Sequence, residues 1–180
     1  MRKILKIILL VLVVIVIVGA AIIALSSSDV AASAATGSQI LTPSGTSVGK
    51  ALVVYDPGLT GAAKSIADKI AVDLQVKGYT VVFAGIKSSA AKNAEGYSVI
   101  VVGGPIYGGT AARSVQNYLS GLSPAQGAKI GVFGSGDFTT NNKVAPLPSN
   151  STLTITYTAS IIFGEDQSAR SQDFVNQLLK

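Results

Sequence analysis

A chain of 180 residues with a net charge of +5, no cysteine and no histidine has room for one ordinary domain beside an N-terminal appendage. Disulfides, thiolate nucleophiles, imidazole bases and the usual zinc sites are excluded, so any chemistry must come from carboxylates, hydroxyls, lysines, backbone groups or a bound cofactor. Arg2, Lys3 and Lys6 carry three of the five net charges; the +2 left on the remainder is scattered, with no basic run interleaved with aromatics, which argues against nucleic-acid binding.

From Ile7 to Leu25 the chain is uncharged and almost wholly aliphatic. As a helix this run would span roughly 28 Å, close to the hydrocarbon core of a bilayer. Basic residues precede it, whereas Ser26, Ser27, Ser28 and Asp29 follow, which places the N-terminus in the cytoplasm and the rest outside. A cleaved signal peptide is the competing reading, with Ala32-Ser33-Ala34 as its small-residue site, but the run exceeds the usual apolar region of about 7–15 residues. Residues 1–25 are therefore expected to be a retained signal anchor, a single transmembrane helix whose partner is membrane lipid. Asn150-Ser151-Thr152 is a glycosylation sequon, as suits an external domain. Residues 26–49 are Ser, Ala, Thr and Gly with hardly any charge and read as a flexible tether. The compact domain is expected over residues 50–180.

Within that domain, Ala51–Tyr55 is a short apolar run of the kind buried on both faces of a parallel sheet. The turn Asp56–Gly61 follows, and apolar residues then recur at Ala63, Ile66, Ala67, Ile70, Ala71 and Leu74, the spacing of one helix face. The helix is expected over Gly61–Lys77, stopped by Gly78, with Lys64–Asp68 and Lys69–Asp73 as pairs on its wet side. A strand feeding a helix through such a turn aims the free N–H groups of the helix at a volume suited to an anion. The same turn can also serve only as a connection, with Thr60 as helix N-cap. Thr80–Phe83 is the second strand, and Ala90–Glu95 a short helix or a loop. Ser98–Val102 is the third strand and empties into Gly103-Gly104-Pro105-Ile106-Tyr107-Gly108-Gly109. Ala111–Leu122 is a helix closed by Ser123-Pro124. Lys129–Phe133 is the fourth strand, ending in Gly134-Ser135-Gly136-Asp137. Asn141–Ser149 reads as a loop, Thr152–Thr158, extending toward Phe163, as the fifth strand, and Ser168–Leu179 as a closing helix with Phe174, Val175, Leu178 and Leu179 on one face.

Alternating strands and helices predict a doubly wound parallel sheet covered on both sides. Ligands bind such sheets outside the carboxyl ends of the strands, where strand order reverses. Glycine-rich turns follow the first, third and fourth strands here; if those strands are neighbours, the turns meet at one edge. Gly58–Ser65 also comes within one residue of a Walker A loop, with Ala63 in place of its second glycine. No Walker B aspartate closes the third or fourth strand, and no nucleophile elbow supports a hydrolase. No catalytic residue and no metal ligand is assigned.

Over about Lys50–Lys180 the pattern resembles the flavodoxin family. The resemblance implies a five-stranded parallel sheet in the order 2-1-3-4-5, with FMN at its edge. In the family's phosphate turn, close to Ser/Thr-x-Thr-Gly-x-Thr, this chain has Gly58, Leu59, Thr60, Gly61, Ala62 and Ala63. Thr60 and Gly61 match; Gly58 and Ala63 stand where hydroxyl residues would be. Gly104-Pro105-Ile106-Tyr107-Gly108 is similar to the Gly-Ser-Pro-x-Tyr turn, so the resemblance places Pro105, Ile106, Tyr107 and Gly108 at the isoalloxazine ring. Gly136 and Asp137 stand in a turn similar to Gly-x-Gly-Asp at the ring's other edge. Without the family, Tyr107 is a loop aromatic covering the sheet edge and Asp137 a turn carboxylate on local backbone. The function so implied is FMN-dependent electron transfer at the outer face of the membrane, by a carrier or an FMN-dependent oxidoreductase with an unidentified redox partner. The alternative is a flavodoxin-like fold without flavin that serves as an anchored binding or structural module.

Overall fold

Ala51–Tyr55 is buried along its whole length, as a strand covered on both faces must be. In a computed structural model of the protein, which describes residues 6, 9–17, 35–107, 109–136, 153–161 and 166–180, it forms the centre of one sheet. The strands are β1 (Ser38–Leu41), β2 (Gly49–Tyr55), β3 (Tyr79–Gly85), β4 (Val99–Tyr107), β5 (Thr110–Ala111), β6 (Lys129–Ser135) and β7 (Tyr157–Ile161). The helices beside the sheet are α1 (Ala62–Val76), α2 (Arg113–Gly121) and α3 (Gln167–Leu179), with a 3₁₀ turn at Ala90–Lys92.

The sheet order is β1-β3-β2-β4-β6-β7, with β5 folded back on β4. The inner path β3-β2-β4-β6-β7 is parallel throughout, the expected 2-1-3-4-5 arrangement. Five strands were too few, however. β1 adds to the edge antiparallel to β3, in the register Ser38↔Ala84 to Leu41↔Val81. This corrects the tether reading for part of residues 26–49: Ser38–Leu41 is an edge strand, while residues 26–34 lie outside the described residues. The Gly85 N–H donates to the Gly37 carbonyl and Lys87 N–H to the Ala35 carbonyl, each at 2.9 Å. The physical reason is the free edge of β3, whose backbone groups take a strand of almost any composition. Ile40 stays exposed, so no apolar periodicity announced β1.

The parallel strands run on into their glycine-rich turns. β4 extends through Gly103 and Gly104, and β6 to Ser135, because Gly103, Gly104 and Pro105 keep the parallel register with Phe133, Gly134 and Ser135; Ile106 and Tyr107 continue β4 by pairing with β5. β7 begins at Tyr157 rather than Thr152, paired with Gly131, and ends at Ile161, paired with Ser135.

α1 buries the six residues its spacing named, Ala63, Ile66, Ala67, Ile70, Ala71 and Leu74. It packs beside α3 on one side of the sheet. Phe174 of α3 meets Phe133 edge to face, with ring centroids 6.4 Å apart. Gly103 lies against Phe133 whereas its neighbour Gly104 lies against Val115 of α2, so α2 covers the opposite side.

Residues 9–17 are helical, with their apolar side chains exposed. Among the described residues no helix is long and apolar enough to cross a membrane. The remainder of the expected span, residues 7, 8 and 18–25, lies outside the described residues, as do the loop at 141–149 and Asn150.

Candidate functional site

The turn after β2 is shaped by Asp56. Its carboxylate is buried beneath the turn and accepts the Gly58 N–H through Oδ1 at 2.9 Å, which holds Gly58 at φ +64°. Through Oδ2 it accepts the hydroxyl of Ser114, a buried residue in the first turn of α2. One carboxylate thus ties the turn to the helix on the far side of the sheet. Gly61, also left-handed at φ +75°, is the cap residue of α1. Thr60 is therefore not the N-cap; its hydroxyl accepts the Ala62 N–H only at a long 3.4 Å. The first bond of the helix is Ser65 N–H to the Gly61 carbonyl at 3.1 Å. The N–H groups before Ser65 have no intrahelical acceptor and point out of the helix start, with no acidic side chain in that first turn.

The turn after β4 is a hairpin. Ile106 and Tyr107 pair antiparallel with Ala111 and Thr110 of β5, and Ala112 N–H donates to the Pro105 carbonyl at 3.0 Å. This fixes Tyr107 at the carboxyl end of the sheet, where its hydroxyl accepts the Leu59 N–H at 3.4 Å and so reaches the first turn. The turn after β6 meets the same hairpin: a Cβ on Gly136 would come within 2.9 Å of the Ile106 carbonyl. The turns after β2 and β4 and the described end of β6, through Gly136, therefore converge.

Between them lies a cleft of about 700 Å³. Leu59, Thr60, Gly61, Ala62, Pro105, Ile106, Tyr107 and Gly136, all named from the sequence, line it. Gly58 and Ala63 do not. Gly58 sits behind the wall, where a Cβ would meet Pro105 at 3.1 Å, and Ala63 is 1% exposed and faces the core. Gly108 and Asp137 lie outside the described residues. Sequence reasoning missed Pro57, Ser65, Ile66, Ser135, Ile161 and Gln167, which also line the cleft. Ser65 and Ile66 fall three and four residues after Ala62, and helical spacing from the helix start would have found them. Ile161 and Gln167 close the cleft from β7 and α3, and their place depends on where β7 stops.

The wall mixes apolar surface with uncharged polar groups, those of Thr60, Ser65, Ser135 and Gln167 among them. None of these lining residues carries a charge, and Leu59 and Tyr107 offer apolar surface at 57% and 36% exposure. An open, largely apolar slot with helix N–H groups at one end suits a flat, partly hydrophobic ligand with a polar tail.

No family model matches the chain, and no curated protein matches it in sequence. Solved structures do match. The chain is similar to flavodoxin 2 of Bacillus cereus at 21% identity and TM-score 0.52, covering 72% of this chain and 97% of that one. It is similar to the Streptococcus pneumonia TIGR4 flavodoxin at 19% identity and TM-score 0.52, with coverage of 72% and 97%. It also matches the Flv1 flavodiiron core of Synechocystis sp. PCC6803 at 21% identity and TM-score 0.53, where 72% of this chain spans only 35% of the larger one. The fold is flavodoxin-like.

Proposed function

We propose that the domain binds flavin mononucleotide in this cleft and transfers electrons. The observation that supports it most is the convergence of the turns after β2, β4 and β6 on one slot with a half-exposed tyrosine in its wall. Its volume lies within the range of about 300–1,000 Å³ usual for small-molecule sites. Bound flavin would supply reversible electron uptake. The protein's own part is to bind and orient: Tyr107 and Leu59 would flank the ring, Pro105, Ile106 and Gly136 would line its edge, and the N–H groups at the start of α1 with Thr60 would face the phosphate. Gly108 and Asp137, beyond the described residues, would complete the ring's surroundings. The chain's lack of cysteine and histidine favours a carrier or flavin-dependent oxidoreductase over a hydrolase.

Tethering to the membrane belongs to the same proposal and rests on the Ile7–Leu25 run and the basic residues before it. The domain would then work on the outer side, with a redox partner whose surface is not strongly basic, given the +2 balance left once Arg2, Lys3 and Lys6 are set aside.

The full-length protein, purified in mild detergent, is expected to be yellow or to quench the fluorescence of added FMN. A colourless protein that leaves FMN fluorescence unchanged would remove the flavin reading and favour a cofactor-free binding module. Protease added to intact cells should remove the domain and spare the N-terminus; an uncut domain would overturn the outward orientation.

A further inference from the structure

We infer that the cleft, taken as a flavin site, recognises the ring and not the phosphate, so that it holds riboflavin about as well as FMN; this rests on the flavin reading above. A phosphate dianion leaves water only where charged or multiple aligned donors replace its hydration. Here three donors of the first turn already have acceptors close by. The Gly58 N–H is bound to Asp56 Oδ1 at 2.9 Å, the Leu59 N–H points to the Tyr107 hydroxyl, and the Ala62 N–H to Thr60 Oγ1, both at 3.4 Å.

Positions 58 and 63 cannot easily supply further hydroxyls either. At position 58 the backbone is left-handed and a Cβ would press on Pro105 at 3.1 Å. Position 63 faces the core at 1% exposure. No charged side chain is among the described residues of the wall, and the nearest buried charge behind the turn is the carboxylate of Asp56, which repels an anion. What remains is the start of α1 with the hydroxyls of Thr60 and Ser65, uncharged donors that hold a doubly charged group only weakly.

The ring end is the opposite. Leu59, Pro105, Ile106, Tyr107 and Ile161 present apolar surface, and its burial contributes equally whether or not the ligand is phosphorylated. Binding energy is therefore concentrated in the part that riboflavin and FMN share.

The test titrates the full-length protein in detergent with FMN and with riboflavin separately, following quenching of flavin fluorescence. Both are expected to be quenched, with dissociation constants less than tenfold apart. A preference for FMN of tenfold or more overturns the inference while leaving the flavin reading intact. Quenching of neither flavin overturns both. A second measurement uses Ser65→Arg, which adds a cation to the wall at the α1 end. It should raise the preference for FMN over riboflavin at least tenfold from near parity; a ratio already tenfold or more before the substitution overturns the inference.

Discussion

Asp56 and Ser114, 58 residues apart, share a buried hydrogen bond, with the Ser114 hydroxyl donating to Asp56 Oδ2. The other oxygen, Oδ1, accepts the Gly58 N–H. The carboxylate is 3% exposed and sits where β2 turns toward α1. Its removal should loosen the turn and the contact with α2 together.

Asp56→Ala is expected to lower stability by about 2–4 kcal/mol, since bonds to a buried charge are lost and a buried donor is left behind. Ser114→Ala should cost less, about 1–2 kcal/mol. Urea unfolding of both variants and the double mutant would check this; losses that add fully would contradict the shared bond.

Gly58 and Gly61 are both left-handed, yet they should respond differently to alanine. A Cβ on Gly61 meets nothing within 4 Å, so only backbone strain of about 1–2 kcal/mol is expected. Gly58→Ala adds the contact with Pro105 at 3.1 Å and should be the more destabilising. Equal unfolding midpoints would refute this difference.

Tyr107 should act through its ring. Tyr107→Phe gives up the long 3.4 Å bond from Leu59 N–H and keeps the ring, so flavin affinity is expected to fall less than threefold. Tyr107→Ala removes the aromatic surface and should weaken FMN and riboflavin alike, by tenfold or more, or about 1.4 kcal/mol. A larger effect of the phenylalanine variant would shift the weight to the hydroxyl.

The β1 edge depends on the bare backbone of Gly85, where a Cβ would lie 2.3 Å from the Ala35 carbonyl oxygen. Gly85→Ala should therefore displace residues 35–37 from β3. Hydrogen exchange would show lost protection at the Gly85 and Lys87 amides; unchanged protection would mean that β1 is held by other means.

Burial, with Tyr97 nearby adding to it, pushes the Tyr118 hydroxyl up from 10.0 to about 12. The folded protein thus keeps this proton after the unfolded chain has lost it. The stability involved is fully present below pH 10 and declines as pH rises toward 12. Tyr118→Phe should flatten that alkaline decline while costing about 1 kcal/mol at neutral pH, through loss of the 2.7 Å bond to the Ala91 carbonyl. An equally steep decline in the variant would assign the effect to another group.

Much of this architecture is legible in the sequence. Ala51–Tyr55 and the spacing from Ala63 to Leu74 declared a doubly covered strand and its helix, since apolar periodicity reports directly on which faces must leave water. The glycine-rich turns likewise marked the carboxyl ends of β2, β4 and β6, and most of the cleft wall with them. Pairing between distant segments was not readable in the same way. β1 is joined to β3 by backbone groups that every residue carries, so Ser38–Leu41 had no side-chain signature to show. The resemblance to the flavodoxin phosphate turn puts Gly58 and Ala63 at the ligand, and only the left-handed backbone and the packing of Pro105 and the core turn them away from it. Local patterning determined which elements form; the tertiary structure decided which backbone edges meet and which atoms face the cleft, because those depend on contacts made across the whole fold.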